Sequence, residues 1–144
     1  MNKKIIHFLK LIRYQNLILI AVAQFFIYHY IIEDFHFNFK QDKTFYLLII
    51  STALIASSGY IINDILDQKT DAINKKQRII IGKYISSRNA IFWYYTLNFI
   101  GIISSIMICI HIQKLYLIFI FMICIYLLWT YSKKYKYSIY GNLI

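Results

Sequence analysis

Three aspartates, Asp64, Asp67 and Asp71, stand close together directly after a long apolar run. The chain has only six acidic residues among its 144, so half of its negative charge lies within eight positions. If the helix of the apolar run continues through them, their spacing places the carboxylates along one face, with Asn63 one turn before Asp67. Like charges at a helix C-terminus repel one another and meet the negative end of the helix dipole, at a cost of about 0.3–1 kcal/mol each. A bound divalent cation would turn this unfavourable electrostatic energy into a favourable one.

Carboxylate oxygens of this kind suit Mg²⁺, which is typically held by one or two carboxylates together with water and substrate phosphates. The cluster therefore predicts half of a metal–diphosphate site, with Asp64, Asp67 and Asp71 as catalytic metal ligands. Basic residues that follow, including Arg78 and Lys83, can take the remaining phosphate charge, and arginine can do so through two parallel hydrogen bonds. The spacing alone leaves open the alternative of a solvated loop whose acids and bases balance.

The composition around this cluster is that of a membrane protein. Hydrophobic residues make up 60% of the chain and charged residues 15%, proline is absent, and the mean hydropathy is +0.55. Four apolar runs, at residues 17–32, 45–62, 91–112 and 115–131, are long enough for helices that cross a bilayer of about 30 Å. We therefore expect an all-α integral membrane bundle with about four transmembrane helices.

Two segments indicate how these helices are arranged. Apolar residues at positions 5, 6, 8, 9 and 12 recur at helical spacing among basic ones, which predicts an amphipathic helix on the membrane surface. The second span contains STALIASSGY. Its small residues allow another helix to approach closely, so this span is expected inside the bundle.

The basic residues predict the orientation. One side of the predicted topology carries thirteen of them: Lys3, Lys4, Lys10, Arg13, Lys69, Lys75, Lys76, Arg78, Lys83, Arg88, Lys133, Lys134 and Lys136. The other side carries Lys40, Lys43 and Lys114. The positive-inside rule then places both termini and the aspartates in the cytoplasm, in a multi-pass protein of the cytoplasmic (inner) membrane. It also accounts for the net charge of +10 without a nucleic-acid partner.

Other residue types that often mark chemistry are scattered. Cys109 and Cys124 lie inside apolar runs, and the four histidines fall on separate segments without the spacing of metal ligands. Neither a disulfide framework nor a zinc site is predicted.

The segment NDILDQKTDAINKKQRIIIGK, directly after ASSGYI, resembles the first aspartate-rich motif of the UbiA-type intramembrane prenyltransferases. That motif reads N-D-x-x-D-x-x-x-D, followed by an arginine and Gly-Lys. IRYQN resembles the family's R-P-x-N at the opening of the first span, with Arg13 and Asn16 matching. YSKKYKYSIYGN resembles its Tyr-Ser-x-x-x-Lys loop and the Gly-Asn entry to the next helix, with these residues matching: Tyr131, Ser132, Lys136, Gly141 and Asn142. The resemblance covers nearly the whole chain.

The resemblance implies transfer of a prenyl group from a polyprenyl diphosphate to an acceptor, with Mg²⁺ as the cofactor. It implies metal binding by the three aspartates and substrate binding by these residues: Asn16, Asn63, Arg78, Lys83, Tyr131 and Lys136. The central segment looks most like bacterial members that prenylate a glycerol phosphate or a related quinone precursor, and the choice between these acceptors stays open.

The departures from the family pattern concern prolines and length. Tyr14 stands where the family has proline, and Ile79 where many members have proline after the arginine. Family members resemble a nine-helix bundle with a second aspartate-rich motif in the later half, whereas residues 1–144 contain one such motif. We therefore expect the first half of a prenyltransferase domain, with little activity alone, or self-association that brings two acidic clusters together. The alternative from another class is a small non-enzymatic four-span protein with a charge-balanced cytoplasmic loop.

Overall fold

The computed structural model describes residues 3–32, 43–68, 71 and 79–133, and these are mainly helical. Helix α1 spans Lys3–Leu11, and α2 spans Tyr14–Ile27 and continues as a π-helical turn over Tyr28–Ile32. Helix α3 spans Lys43–Leu66, α4 spans Ser87–His111, and α5 spans Ile118–Lys133 after a 3-10 turn at Leu115–Leu117. The described ranges contain no β-strand, and the prediction of an all-α fold is confirmed.

Within the described ranges, three segments are long and apolar enough to cross a membrane: Lys43–Leu66, Ser87–His111 and Leu115–Lys133. A fourth is the pair Lys3–Leu11 and Tyr14–Tyr30, which is bent by 56° at the break between its two helices. The predicted number of about four spans therefore agrees with the structure when this bent pair counts as one span.

Helices α3 and α4 approach each other closely at small residues. A Cβ atom added to Gly101 of α4 would lie 2.9 Å from Ile55 Cγ1 of α3. At the same place, Ser51 Oγ donates a hydrogen bond of 3.0 Å to the Gly101 carbonyl and lies 2.6 Å from Ser105 Oγ. In a low-dielectric interior such interhelical hydrogen bonds add to the packing. The close approach expected from STALIASSGY is therefore present.

Two further small residues of α3 contact neighbouring helices. Ser58 Oγ donates a hydrogen bond of 2.8 Å to Asn98 Oδ1 of α4, and both side chains are buried. Gly59 faces α5, where an added Cβ would lie 2.9 Å from Leu128 Cδ1. Small residues on α3 therefore set its separation from two neighbouring helices.

A buried apolar cluster ties the end of α1 to the end of α3 and the start of α4. Its fully or nearly fully buried members are Leu11, Ile61, Ile81, Ala90 and Leu97. The chain enters α4 through a tight turn in which Gly82, at φ 89°, donates its backbone N–H to the Ile85 carbonyl at 2.8 Å. That positive φ suits glycine, because a residue with a Cβ is strained there. Ile61 of this cluster lies on α3 three residues before Asp64.

Candidate functional site

Helix α3 carries its hydrogen-bond pattern past its apolar part and into the aspartate cluster. The Asp67 amide donates to the Asn63 carbonyl at 3.0 Å, and the Asp71 amide donates to the Asp67 carbonyl at 2.8 Å. Both bonds join a residue to the one four positions earlier, which is the α-helical pattern. The prediction that the helix continues through the aspartates is confirmed at these positions.

Packing, rather than helical spacing, separates the three carboxylates. Asp64, Gln68 and Asp71 line one small pocket together with residues 79–81 of the loop before α4. Asp67 is rotated about the helix axis by about 60° from Asp64 and about 40° from Asp71, so the spacing alone does not place it on another face. The Asp67 side chain is only 3% exposed, and Asn63 Nδ2 donates to its Oδ2 at 3.0 Å. Two predicted metal ligands therefore share a pocket, and the third lies in a buried hydrogen bond.

Arg13 makes an ion pair with the first of the pocket carboxylates. Its Nη2 donates to Asp64 Oδ1 at 3.0 Å, with the side chains 44% and 24% exposed. The guanidinium also lies over the Tyr60 ring, 4.9 Å from its centroid, within the range of a cation–π interaction. Asn16 Nδ2 donates to the hydroxyl of the same tyrosine at 3.3 Å. Arg13 and Asn16, the two residues of the R-x-x-N match, therefore both contact side chains of α3, the helix that carries the aspartates.

The backbone at the break between α1 and α2 directs Arg13 to this position. Arg13 has φ 52° and ψ 54°, a left-handed conformation that costs a non-glycine residue about 1–2 kcal/mol. Its amide is bonded to the Lys10 carbonyl at 3.1 Å, and its carbonyl accepts from the Asn16 amide at 2.8 Å. Both bonds satisfy backbone groups that the ends of two helices would otherwise leave open. The left-handed conformation of Arg13 also accounts for the bend of 56° between α1 and α2.

The remaining predicted substrate-binding residues are less closely grouped. Lys83 is exposed in the loop before α4, with Nζ 5.2 Å from the centroid of the Tyr84 ring. Tyr131 is exposed near the end of α5 and is not among the described residues that line the aspartate pocket. Arg78 and Lys136 lie outside the described residues, as do Gly141 and Asn142.

Gln68 is a pocket residue that the sequence analysis missed. Its Nε2 donates to Ser87 Oγ at 3.1 Å, which connects the end of the α3 segment to the first turn of α4. Its position could have been predicted from the sequence, because Gln68 stands four residues after Asp64 and three before Asp71, which is the spacing of neighbours on a helix surface. Gln68 adds an amide group to the two carboxylates among the residues that line the pocket.

The donor set of this pocket fits Mg²⁺ in part. The carboxylates of Asp64 and Asp71 and the amide oxygen of Gln68 are hard oxygen ligands, the type that Mg²⁺ prefers. Across residues 3–32, 43–68, 71 and 79–133, no three His, Cys, Asp or Glu side chains are grouped so as to hold a metal by themselves. The pocket is thus suited to a cation that completes its coordination with water and substrate phosphates.

A larger apolar cleft of about 570 Å³ lies between α2, α3, α4 and α5. Its walls are aliphatic and aromatic, with one polar pair in which Thr52 Oγ1 donates to Gln24 Oε1 at 3.1 Å. Helix α3 contributes Leu48, Thr52, Ile55 and Ala56 to the cleft and carries the aspartates further along. One helix therefore borders both an apolar cleft and an oxygen-rich pocket.

Comparison with known families gives this arrangement its context. The model of the UbiA prenyltransferase family matches residues 16–144, which include Asn16 and the whole aspartate segment. The chain belongs to the UbiA prenyltransferase family. The resemblance inferred from the three sequence motifs is confirmed, and the chain is an integral membrane member of that family.

Three relatives of this UbiA-family chain have the same description, digeranylgeranylglyceryl phosphate synthase. The protein from Methanococcus aeolicus is 35% identical over 147 residues, which cover 100% of this chain and 49% of the relative. Those from Sulfolobus acidocaldarius and Hyperthermus butylicus are 34% and 30% identical over 69% and 70% of this chain. The matched parts are 34% and 33% of those two relatives. The chain thus spans half or less of the relatives that it matches, and no solved structure matches it significantly.

Proposed function

We propose that these residues form the part of a prenyltransferase domain that binds Mg²⁺ and a polyprenyl diphosphate. The reaction proposed for the whole domain is transfer of the prenyl group to a glycerol phosphate acceptor. The observation that carries the proposal is that Asp64 and Asp71 line the same pocket and that Arg13 forms an ion pair with Asp64. The description of the relatives supports a glycerol phosphate rather than a quinone precursor.

The roles of the pocket residues follow from their charges. Asp64 and Asp71 would bind the cation, Gln68 would supply a neutral oxygen, and Asp67 with Asn63 would hold the helix end in shape through their buried hydrogen bond. When bound, Mg²⁺ stabilises the charge that develops on a diphosphate as its allylic C–O bond breaks.

The basic groups would bind the phosphate oxygens that the cation leaves uncovered. Arg13 already lies against a pocket carboxylate, and its planar guanidinium can bind two phosphate oxygens at once. Lys83, Arg78 and Lys136 are proposed to add further positive charge from the cytoplasmic loop and the C-terminal segment, and Tyr131 to contact the substrate at the end of α5. Asn16, bonded to Tyr60, would keep the start of α2 close to the head group.

The apolar cleft is the proposed site for the prenyl chain. It borders the same helix as the aspartates, so a substrate with its diphosphate at the pocket can extend along α3 into an apolar environment. A prenyl chain is already surrounded by lipid before it binds, so the cleft would contribute packing contacts rather than a free energy of transfer from water. The pocket would provide orientation.

We place the aspartate pocket and both termini at the cytoplasmic face of the inner membrane, on the basis of the lysine and arginine distribution. Cysteines introduced at positions 40 and 76 test this topology in intact cells. A membrane-impermeant maleimide added outside is expected to label position 40 and not position 76. Labelling of both positions from the same side would contradict it.

The functional proposal is tested by the double variant Asp64→Asn with Asp71→Asn in the detergent-solubilised chain. Isothermal titration with Mg²⁺ and a non-reactive prenyl thiodiphosphate is expected to show Mg²⁺-dependent binding to the unmodified chain and none to the variant. Asp42→Asn is the matched control, because it removes a carboxylate from the predicted opposite side. Equal Mg²⁺-dependent binding by the double variant would show that this site assignment is wrong. No Mg²⁺-dependent binding by the unmodified chain would favour the non-enzymatic alternative, in which the acids only balance neighbouring bases.

A further inference from the structure

A groove separate from the aspartate pocket lies between α1 and the start of α4. It has a volume of about 370 Å³ and is lined chiefly by Lys4, Ile5 and Phe8 of α1, Tyr84 of the loop, and Asn89 and Trp93 of α4. None of these residues contributes to the aspartate pocket or the apolar cleft. The functional proposal leaves this groove without a role.

Contacts on both sides hold the groove in shape. Leu11, fully buried in the apolar cluster, fixes the end of α1 against α3 and α4. The His7 ring stacks on Tyr84 with centroids 3.7 Å apart, and the Phe8 and Trp93 rings are 4.8 Å apart. The aromatic contacts therefore join α1 to the loop and to α4 independently of the site around Asp64.

The groove has apolar walls that remain open. Ile5 is 51% exposed and Tyr84 50% exposed, and Trp93 is also partly exposed. Tyrosine and tryptophan concentrate at the depth of the lipid head groups, where one end of the ring is apolar and the other is in contact with water. The walls are thus suited to the upper part of a lipid acyl chain.

The charge around the groove is positive. Lys4 is the charged residue of its described lining, and Lys3 and Lys10 on α1 and Arg88 beside Asn89 are exposed. The acids that the structure describes lie elsewhere, because Asp64 and Asp71 line the other pocket and Asp67 is buried. An anionic head group is therefore favoured over a zwitterionic one.

We infer that this groove binds one anionic phospholipid of the cytoplasmic leaflet, with its phosphate beside Lys4 and Asn89 and an acyl chain along Phe8 and Trp93. The leaflet facing the cytoplasm attracts basic segments at its surface, and each lysine near it strengthens binding about fivefold. The lipid would hold α1 at the membrane surface. Since α1 leads directly to Arg13, it would also stabilise the bend that brings Arg13 to Asp64.

The test uses Trp93 as the reporter of lipid in the groove. The chain has two tryptophans, so Trp129→Phe leaves Trp93 as the only one. The protein is reconstituted in phosphatidylcholine vesicles that contain a minor fraction of either dibrominated phosphatidylglycerol or dibrominated phosphatidylcholine. We expect the anionic lipid to reach half-maximal quenching of Trp93 fluorescence at about one fifth of the concentration that the zwitterionic lipid requires. Lys4→Gln should remove most of this preference, and Lys4→Arg should retain it.

Controls separate a bound lipid from general attraction to a basic protein. Lys114→Gln, which removes an exposed lysine at the other end of α4, should leave the Trp93 preference unchanged. In the Trp93→Phe background, quenching of Trp129 reports on the α5 end, and Lys4→Gln should leave it unchanged. Equal quenching of Trp93 by both lipids would overturn the inference, as would an equal effect of Lys4→Gln on both reporters.

A second measurement avoids replacing either tryptophan. Native mass spectrometry of the otherwise unmodified chain, released from micelles with both phospholipids, should show one retained phosphatidylglycerol that Lys4→Gln loses and Lys114→Gln keeps. Retention of phosphatidylcholine to the same extent would also overturn the inference.

Discussion

Replacing Arg13 with glutamine is expected to raise the affinity of the pocket for Mg²⁺. In the structure, Arg13 Nη2 occupies one oxygen of Asp64 at 3.0 Å, so a cation must compete with the guanidinium for this carboxylate. Glutamine keeps an unbranched aliphatic stem and a polar end group near Tyr60 but is shorter and removes the charge. The change therefore tests the ion pair with little effect on the shape of the site.

The size of the effect follows from the exposure of the pair. Arg13 and Asp64 are 44% and 24% exposed, and partly exposed ion pairs contribute about 0.2–1 kcal/mol. Releasing Asp64 from this interaction should strengthen Mg²⁺ binding by a similar amount, which at 1.4 kcal/mol per tenfold corresponds to a factor of up to about five. The same substitution should lower the free energy of unfolding by up to about 1 kcal/mol, because the pair also joins α2 to α3.

The assay is isothermal titration of the detergent-solubilised chain with Mg²⁺ alone, beside a thermal unfolding curve of each protein. Lys114→Gln is the matched control, because it removes one positive charge at the opposite end of α4 and measures the effect of net charge alone. An affinity for Mg²⁺ that falls in Arg13→Gln, or rises no more than in Lys114→Gln, would refute competition between Arg13 and the metal at Asp64.

Three further substitutions test the packing and the division of the aspartates. Gly101→Ala should destabilise the α3–α4 contact by about 1–3 kcal/mol in chemical unfolding, because its new methyl meets Ile55 Cγ1 at 2.9 Å. A double-mutant cycle with Ile55→Ala, which removes Cγ1, should show coupling between the two positions. Ser58→Ala should cost about 1–3 kcal/mol, because the buried Asn98 Oδ1 loses its interhelical donor, and a double-mutant cycle with Asn98→Ala should show coupling. Asp67→Asn should affect Mg²⁺ affinity less than replacing either pocket carboxylate, and an equal loss would place it among the ligands.

Sequence alone was sufficient for the helical class, the approximate number of spans and the family. Backbone N–H and C=O groups in lipid must be paired within the segment, so each long apolar run had to be a helix whatever its neighbours were. The small residues around Gly59 indicated close packing for a similarly local reason, since only small side chains let two helix backbones approach. The aspartate motif was equally visible, because its spacing is a property of one helix.

Which side chains meet depended on the tertiary structure. Arg13 and Asp64 are separated by 51 positions, and their contact requires the left-handed residue between α1 and α2 as well as the docking of α2 on α3. The rotation of α3 about its axis turned Asp64, Gln68 and Asp71 towards the loop before α4 and Asp67 into the interior. Spacing along a helix determines the angles between side chains, but the direction that each one faces is set by packing against the other helices, and this information is spread over the whole chain.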